Sequence, residues 1–180
     1  MPNNIGIWVS TFFTDAGPDP ISGWQNFYIA EVGAGTALAG LLTIAASINL
    51  KEILATHLLP KRMGQMLLIV ICAIVVASIG LFPFKSEKLF GIESSLCGIA
   101  LATTAAGNFL SKSAALAATQ LTWRLVPLLI SGAIAAAYLI GGGLLMMGSE
   151  SGVYVIGIAI IVSMVATIHE SWILLVEILR

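Results

Sequence analysis

Five long apolar stretches, with charged residues held almost entirely in the gaps between them, constrain this 180-residue chain more than any other feature. A bilayer's hydrocarbon core is about 30 Å thick and takes roughly 20 apolar residues to cross as a helix, at 1.5 Å of rise each. The stretches run from Phe27 to Asn49, Met63 to Pro83, Gly91 to Leu110, Leu125 to Met147 and Gly152 to Trp172, the last with an apolar continuation to the C-terminus. Within hydrocarbon every backbone N–H and C=O needs a partner inside its own element, so these spans are helices. The alternating ten-residue segments of an outer-membrane barrel are absent. With 58% hydrophobic residues, 9% charged and a mean hydropathy of +1.01, little remains to cover a water-facing surface. The fold class expected is all-α: an integral membrane bundle of five transmembrane helices.

The basic residues set the orientation. With the N-terminus outside, the inner segments carry Lys51, Lys61, Arg62, Lys112, Arg124 and Arg180, against only Lys85 and Lys88 on the outer side. Short basic loops stay cytoplasmic, so the N-terminus is expected outside and the C-terminus inside. Trp24, Phe27 and Tyr28 are then expected in the outer interfacial belt and Trp123 and Trp172 in the inner one, where amphipathic rings favour the headgroup level.

Residues 1–26 form an outer interfacial segment and residues 27–180 a single five-helix domain. No basic n-region precedes the broken apolar run Ile5 to Phe13, so a cleaved signal peptide is not expected. Gly17-Pro18-Asp19-Pro20 interrupts any helix there, leaving a short interfacial helix or a weakly ordered tail. The turn Gly148-Ser149-Glu150-Ser151 makes the fourth and fifth helices antiparallel neighbours. Leu50 to Pro60 is expected to prolong the first helix into the cytosol until Pro60 stops it.

Small residues are patterned inside the spans. Gly33, Thr36, Ala37, Gly40, Thr43 and Ser47 share one face of the first helix; Gly98, Ala102 and Ala106 lie four apart in the third; Gly132 with Ala136, and Ala137 with Gly141, do so in the fourth. Helices in lipid associate through close backbone approach, which such faces permit, so the first helix is expected to pack through its small face. The alternative is that this face lines a polar path or joins protomers. Gly141-Gly142-Gly143 lacks the ending of a phosphate-binding loop and is read as loosening its helix or admitting a neighbouring backbone.

Intramembrane ionisable groups are functional candidates by default. Glu31 and Glu93 each lie about a turn inside an outer boundary, where they suit either an acidic pore collar or simple snorkelling. His169 and Glu170, adjacent near the inner end of the fifth span, are the candidate pH-sensitive pair, and Glu177 and Arg180 are spaced for an intrahelical contact. His57 is the other histidine, in a cytoplasmic segment. Cys72 and Cys97 form no CxxC motif and are expected to be reduced packing residues. Nothing has the spacing of a metal site, a nucleophile elbow or a catalytic triad, so no catalytic residue, metal or cofactor is assigned and an enzyme is not expected. A net charge of −1 without a basic cluster makes nucleic acid an unsuitable partner.

Three segments, NFYIAEVGAGTALAGLLTIAASINLKEIL, GIESSLCG and GGGLLMMGSESGVYVIGIAIIVSMVATIHESWILLVEILR, resemble a widespread group of small five-span bacterial membrane proteins of about this length. The resemblance spans most of residues 26–180, and its motifs include Ser47 to Leu50 and the Trp172 to Glu177 tail. It implies a multi-pass protein of the bacterial inner membrane. The group is functionally uncharacterised, some members bearing the label of protease modulators, and no functional residue carries over.

The leading reading is a homo-oligomeric channel or permease-like protein for an ion or small solute, with Glu31, Gly33, Thr36, Gly40, Thr43, Ser47 and Glu93 as candidate pore or interface residues. Its rival is a non-catalytic accessory or regulatory subunit that docks its Gly/Ala faces onto a larger membrane complex. The partners expected are the lipid bilayer and either further copies of the chain or another membrane protein.

Overall fold

The computed structural model describes residues 22–55, 59–82, 86–110 and 122–178, with side chains for 23–55, 59–82, 86–110 and 125–172. Expectations for residues 1–21, for His57, Lys85, Lys112 and Arg180, and for the side chains of Trp123, Arg124 and Glu177 fall outside that range. A 3-10 turn at Ser22–Trp24 leads into α1 (Gln25–Ile48); there follow α2 (Leu50–Ala55), α3 (Leu59–Gly80), α4 (Glu87–Leu110), α5 (Thr122–Met146) and α6 (Ser151–Ile178). All described regular structure is helical. α1, α3, α4, α5 and α6 are each long and apolar enough to cross a membrane, making this a multi-pass membrane protein.

Between α1 and α2 the helix breaks at one residue, Asn49, whose amide Nδ2 donates to Ala45 O at 3.0 Å and closes the last turn. Pro60 does not end a helix, contrary to expectation: it is the second residue of α3. A first-turn N–H has no intrahelical acceptor, so the missing proline donor is harmless there. The α5–α6 turn is held by Ser149 N–H to Leu144 O (2.9 Å) and Gly148 N–H to Leu145 O (3.0 Å), with Gly148 at φ 78°. That pair of bonds is the Schellman pattern, which requires a left-handed residue that glycine supplies without strain.

α3, α4, α5 and α6 close into a ring, and α1 leans on its outside over α3, with a lesser contact to α6. The α4–α5 seam is the most extensive, because glycines let the backbones meet. A Cβ added at Gly91 would fall 2.6 Å from Gly142 O, and one at Gly98 would fall 2.9 Å from Ala135 O. Across the next seam a Cβ at Gly152 would fall 2.5 Å from Gly141 O. Of the two roles open to the glycine triplet, admission of neighbouring backbones is the one observed, and α5 runs through it unbroken.

One end of the bundle gathers Trp24, Phe27, Tyr28, Phe90 and Tyr154; the opposite end gathers Lys61, Arg62, Asn108 and Glu170. We call them the aromatic end and the basic end. Tyr28, expected in the outer interfacial belt, lies at the aromatic end with its ring turned into the bundle. It is fully buried, with its ring in the notch left by Gly80, where a Cβ would lie 2.8 Å away, and 5.9 Å from the Phe90 ring. Trp24, half-buried, covers Gly157 and meets Tyr154 edge-on at 5.0 Å.

The small face of α1 is a second correction. Gly33, Thr36, Ala37, Gly40, Thr43 and Ser47 are all exposed, and a Cβ at Gly33 or Gly40 would meet nothing within 4 Å. α1 instead packs through Tyr28, Gly35 and Leu42, the buried positions on its other side. The small face has no bulk with which to fill an interhelical gap, and its hydroxyls close onto their own helix: Thr36 to Val32 O, Thr43 to Ala39 O and Ser47 to Thr43 O, at 2.7–2.8 Å.

Candidate functional site

The polar side chains buried in the ring lie mainly in the half nearer the basic end. On α6, Ser163, Thr167 and Glu170 recur at four and three residues, which places them on one inward stripe spanning about 10 Å of helix axis. On α3 the inward face carries Arg62 and Gln65 before turning apolar at Met66, Ile69 and Ala73. α5 contributes Ser131 and Tyr138, two turns apart and both buried, and α4 contributes Asn108.

At the basic end Arg62 Nη2 donates to Glu170 Oε2 at 2.5 Å, joining α3 to α6; the two side chains are 15% and 5% exposed. One turn further along α3, Gln65 Oε1 accepts from Asn108 Nδ2 at 3.2 Å, joining α3 to α4. Deeper in the ring, Thr167 Oγ1 donates to Ser163 O and Ser163 Oγ donates to Ala159 O, each at 2.7 Å. With the Ser163 proton so directed, its 3.5 Å contact with Tyr138 Oη has the tyrosine as donor. Cys72 and Cys97, both free, turn toward each other from α3 and α4 within hydrogen-bonding reach. These contacts form a lane of polar groups from the basic end to about mid-depth. Beyond it, Tyr28, Phe90, Leu145, Val153 and Ile156 fill the aromatic half with fully or almost fully buried apolar bulk.

The expected site residues distribute unevenly. Glu170 is a member of the lane, whereas His169, one residue and about 100° around the helix, is exposed, so the structure parts the pair. Glu31 and Glu93 are half-buried at similar depths on α1 and α4. Gly33, Thr36, Gly40, Thr43 and Ser47 stand apart on the outer face of α1. Sequence reasoning missed Arg62, Gln65 and Asn108. Arg62 had counted only as a basic loop residue, yet Arg62, Gln65, Met66 and Ile69 follow the 3–4 spacing of an inward helix face, and that signal would have found it. Outside the ring, an apolar groove of about 330 Å³ opens between α1, α2, α3 and α6, lined by Leu38, Leu42, Ile53, Met63 and Ile168 among others.

Compared with known proteins, the chain matches no family profile, no curated protein and no solved structure.

Proposed function

We propose that this multi-pass membrane protein is a channel or permease-like protein that passes an ion or small solute along the polar lane inside its four-helix ring. The observation that carries this reading is the ion pair between transmembrane helices of a buried Glu170 and a partly buried Arg62. Placing two ions there costs several kcal/mol each in desolvation, which their attraction offsets only in part, and apolar residues would hold α3 to α6 as well or better. A charge pair retained inside a membrane bundle is therefore a feature of a pathway rather than of the scaffold. The lane's polar groups lie toward the basic end and give way to aromatic and aliphatic packing at the other.

In this reading the basic end is cytoplasmic, the N-terminus lies outside and the C-terminus inside, and the membrane is the bacterial inner membrane. The chemistry is binding and passage, with no enzymatic step. A second reading rests on the exposed Gly/Thr/Ser face of α1, left unused by the chain's own packing: the protein is an accessory subunit, docking by that face onto copies of itself or another membrane protein.

Purified protein in liposomes, assayed for proton, potassium, sodium, chloride and glycerol flux against empty liposomes, tests the first reading. Flux of at least one species that falls when the Arg62–Glu170 pair is removed supports it. No flux of any of them, with the protein folded, would leave the accessory reading standing.

A further inference from the structure

The ion pair uses only one oxygen of its carboxylate. Glu170 Oε2 accepts from Arg62, while Oε1 is buried and accepts no hydrogen bond among the described residues. A turn away, Gln65 gives its carbonyl oxygen to Asn108, and its Nε2 is likewise buried without an acceptor among the described residues. An orphan acceptor and an orphan donor thus lie on the inward faces of α6 and α3 at the same end of the ring. In a membrane interior such groups carry a desolvation penalty that most buried side chains avoid. Oε1 can accept a hydrogen bond from a water, and Gln65 Nε2–H can donate to one.

We infer that Glu170 is the proton-binding residue of the lane and that the ion the protein passes is H⁺; the inference rests on the transport reading above. Other cargo suits the site poorly. A metal cation at Oε1 is repelled by the adjacent guanidinium, and an anion is repelled by the carboxylate. A proton needs only the free oxygen and a water to bring it. The step balances simply: an O–H bond of a hydronium at the basic end breaks, its electron pair stays on the water, and an O–H bond forms on Oε1. Release is the reverse transfer to water.

Protonation removes the Glu170 charge that pairs with Arg62 across α3 and α6, so that contact loosens. The lane alternates between an ion-paired, closed state and a protonated, open one. Among the described side chains, the charged groups around Glu170 are few. α3 presents Arg62 directly and Lys61 beside it. On α6 itself His169 is exposed, and α2 carries exposed Lys51 and Glu52. α1 holds only Glu31, toward the other end, and the described side chains of α5 include no charged group. The Thr167, Ser163 and Tyr138 hydroxyls continue the lane to about mid-depth with groups able to pass protons.

The test uses the full chain in liposomes that hold a pH-sensitive dye, with a potassium diffusion potential as the driving force. Wild-type protein should acidify or alkalinise the lumen faster than empty liposomes, and Glu170→Gln should lower that rate at least tenfold. Arg62→Gln/Glu170→Gln, which keeps a neutral hydrogen-bonded pair, guards against loss by misfolding and should be equally inactive while retaining the wild-type particle mass. Infrared difference spectra between acid and alkaline pH should show a protonated-carboxyl component in the wild type that shifts in Glu170→Asp and is missing from the Gln variants, above the contribution of the other carboxyls. Passage of another ion or of glycerol, unaffected by Glu170→Gln and without that component, would overturn the proton assignment and leave transport standing. Absence of flux for every species would overturn both.

Discussion

Arg62 and Glu170, 108 residues apart in sequence, meet at 2.5 Å and tie the first turn of α3 to the basic-end portion of α6. The contact closes the ring at the end where its polar side chains lie. Its energetics are asymmetric. The pair as a unit adds little net stability, but removing one member strands the other charge in a medium that cannot solvate it.

Arg62→Leu and Glu170→Leu should therefore each destabilise the fold by about 3–5 kcal/mol, whereas the double variant should recover most of that loss. Thermal or denaturant unfolding in one detergent reads all three against the wild type as a double-mutant cycle. Losses that simply add would show that the two charges do not depend on each other.

Glycines in this chain divide by what their missing Cβ would meet. Gly98→Leu drives a side chain into Ala135 O and Leu139 and should cost about 1–3 kcal/mol or prevent folding, since two backbones must separate. Gly40→Leu meets nothing within the protomer and should leave the unfolding midpoint near wild type. If the small face of α1 joins protomers, the same change should lower the mass of the solubilised particle, which light scattering measures directly. Leu41→Ile, one residue around α1, should change neither. An equal loss of midpoint in Gly40→Leu and Gly98→Leu would contradict the placement of α1.

The spans were legible in the sequence because the bilayer imposes one length and one secondary structure, leaving apolar run length to decide. The α5–α6 turn was legible for a similar reason, since Gly148 and its neighbours admit little but a tight reversal. Which way a helix faces was not. Lipid is as apolar as Leu, so neither Gly40 nor Leu42 announces the bundle side, and the choice fell to steric fit: Gly35 takes Met164 and Ile74, and Gly80 takes the Tyr28 ring. Glu170 was visible as an intramembrane carboxylate. Its partner was not, because Arg62 reads equally well as a loop charge until α6 is laid beside α3. Pro60 misled by its ordinary role as a helix stop, when its position in the first turn reverses that meaning.

Tyr28 is the side chain on which the aromatic half depends. Its ring contacts Gly80, Phe90, Phe27 and Trp24, drawing α1, α3 and α4 together at one point. Tyr28→Ala should lose about 3–5 kcal/mol, the usual range for emptying an aromatic site in a core. Trp24→Ala, at a half-buried position, should lose less. Comparison of the two unfolding midpoints tests the assignment of Tyr28 to the core: a smaller effect at Tyr28 than at Trp24 would contradict it.

Orientation can be read from two exposed positions at opposite ends, Glu150 in the α5–α6 turn and Ala55 at the end of α2. The inner assignment of the basic end rests on Lys51, Lys61, Arg62, Lys112, Arg124 and Arg180 against Lys85 and Lys88, a bias of six to two that favours retention of those segments in the cytoplasm. Neither substitution to be used removes a basic residue, so the bias is undisturbed. In a background with Cys72 and Cys97 replaced by Ala, Glu150→Cys should react with a membrane-impermeant maleimide added to intact cells. Ala55→Cys should react only after the membrane is opened. Labelling in the reverse order would place the basic end outside, against the positive-inside bias, and would turn the Arg62–Glu170 mouth of the lane toward the cell exterior.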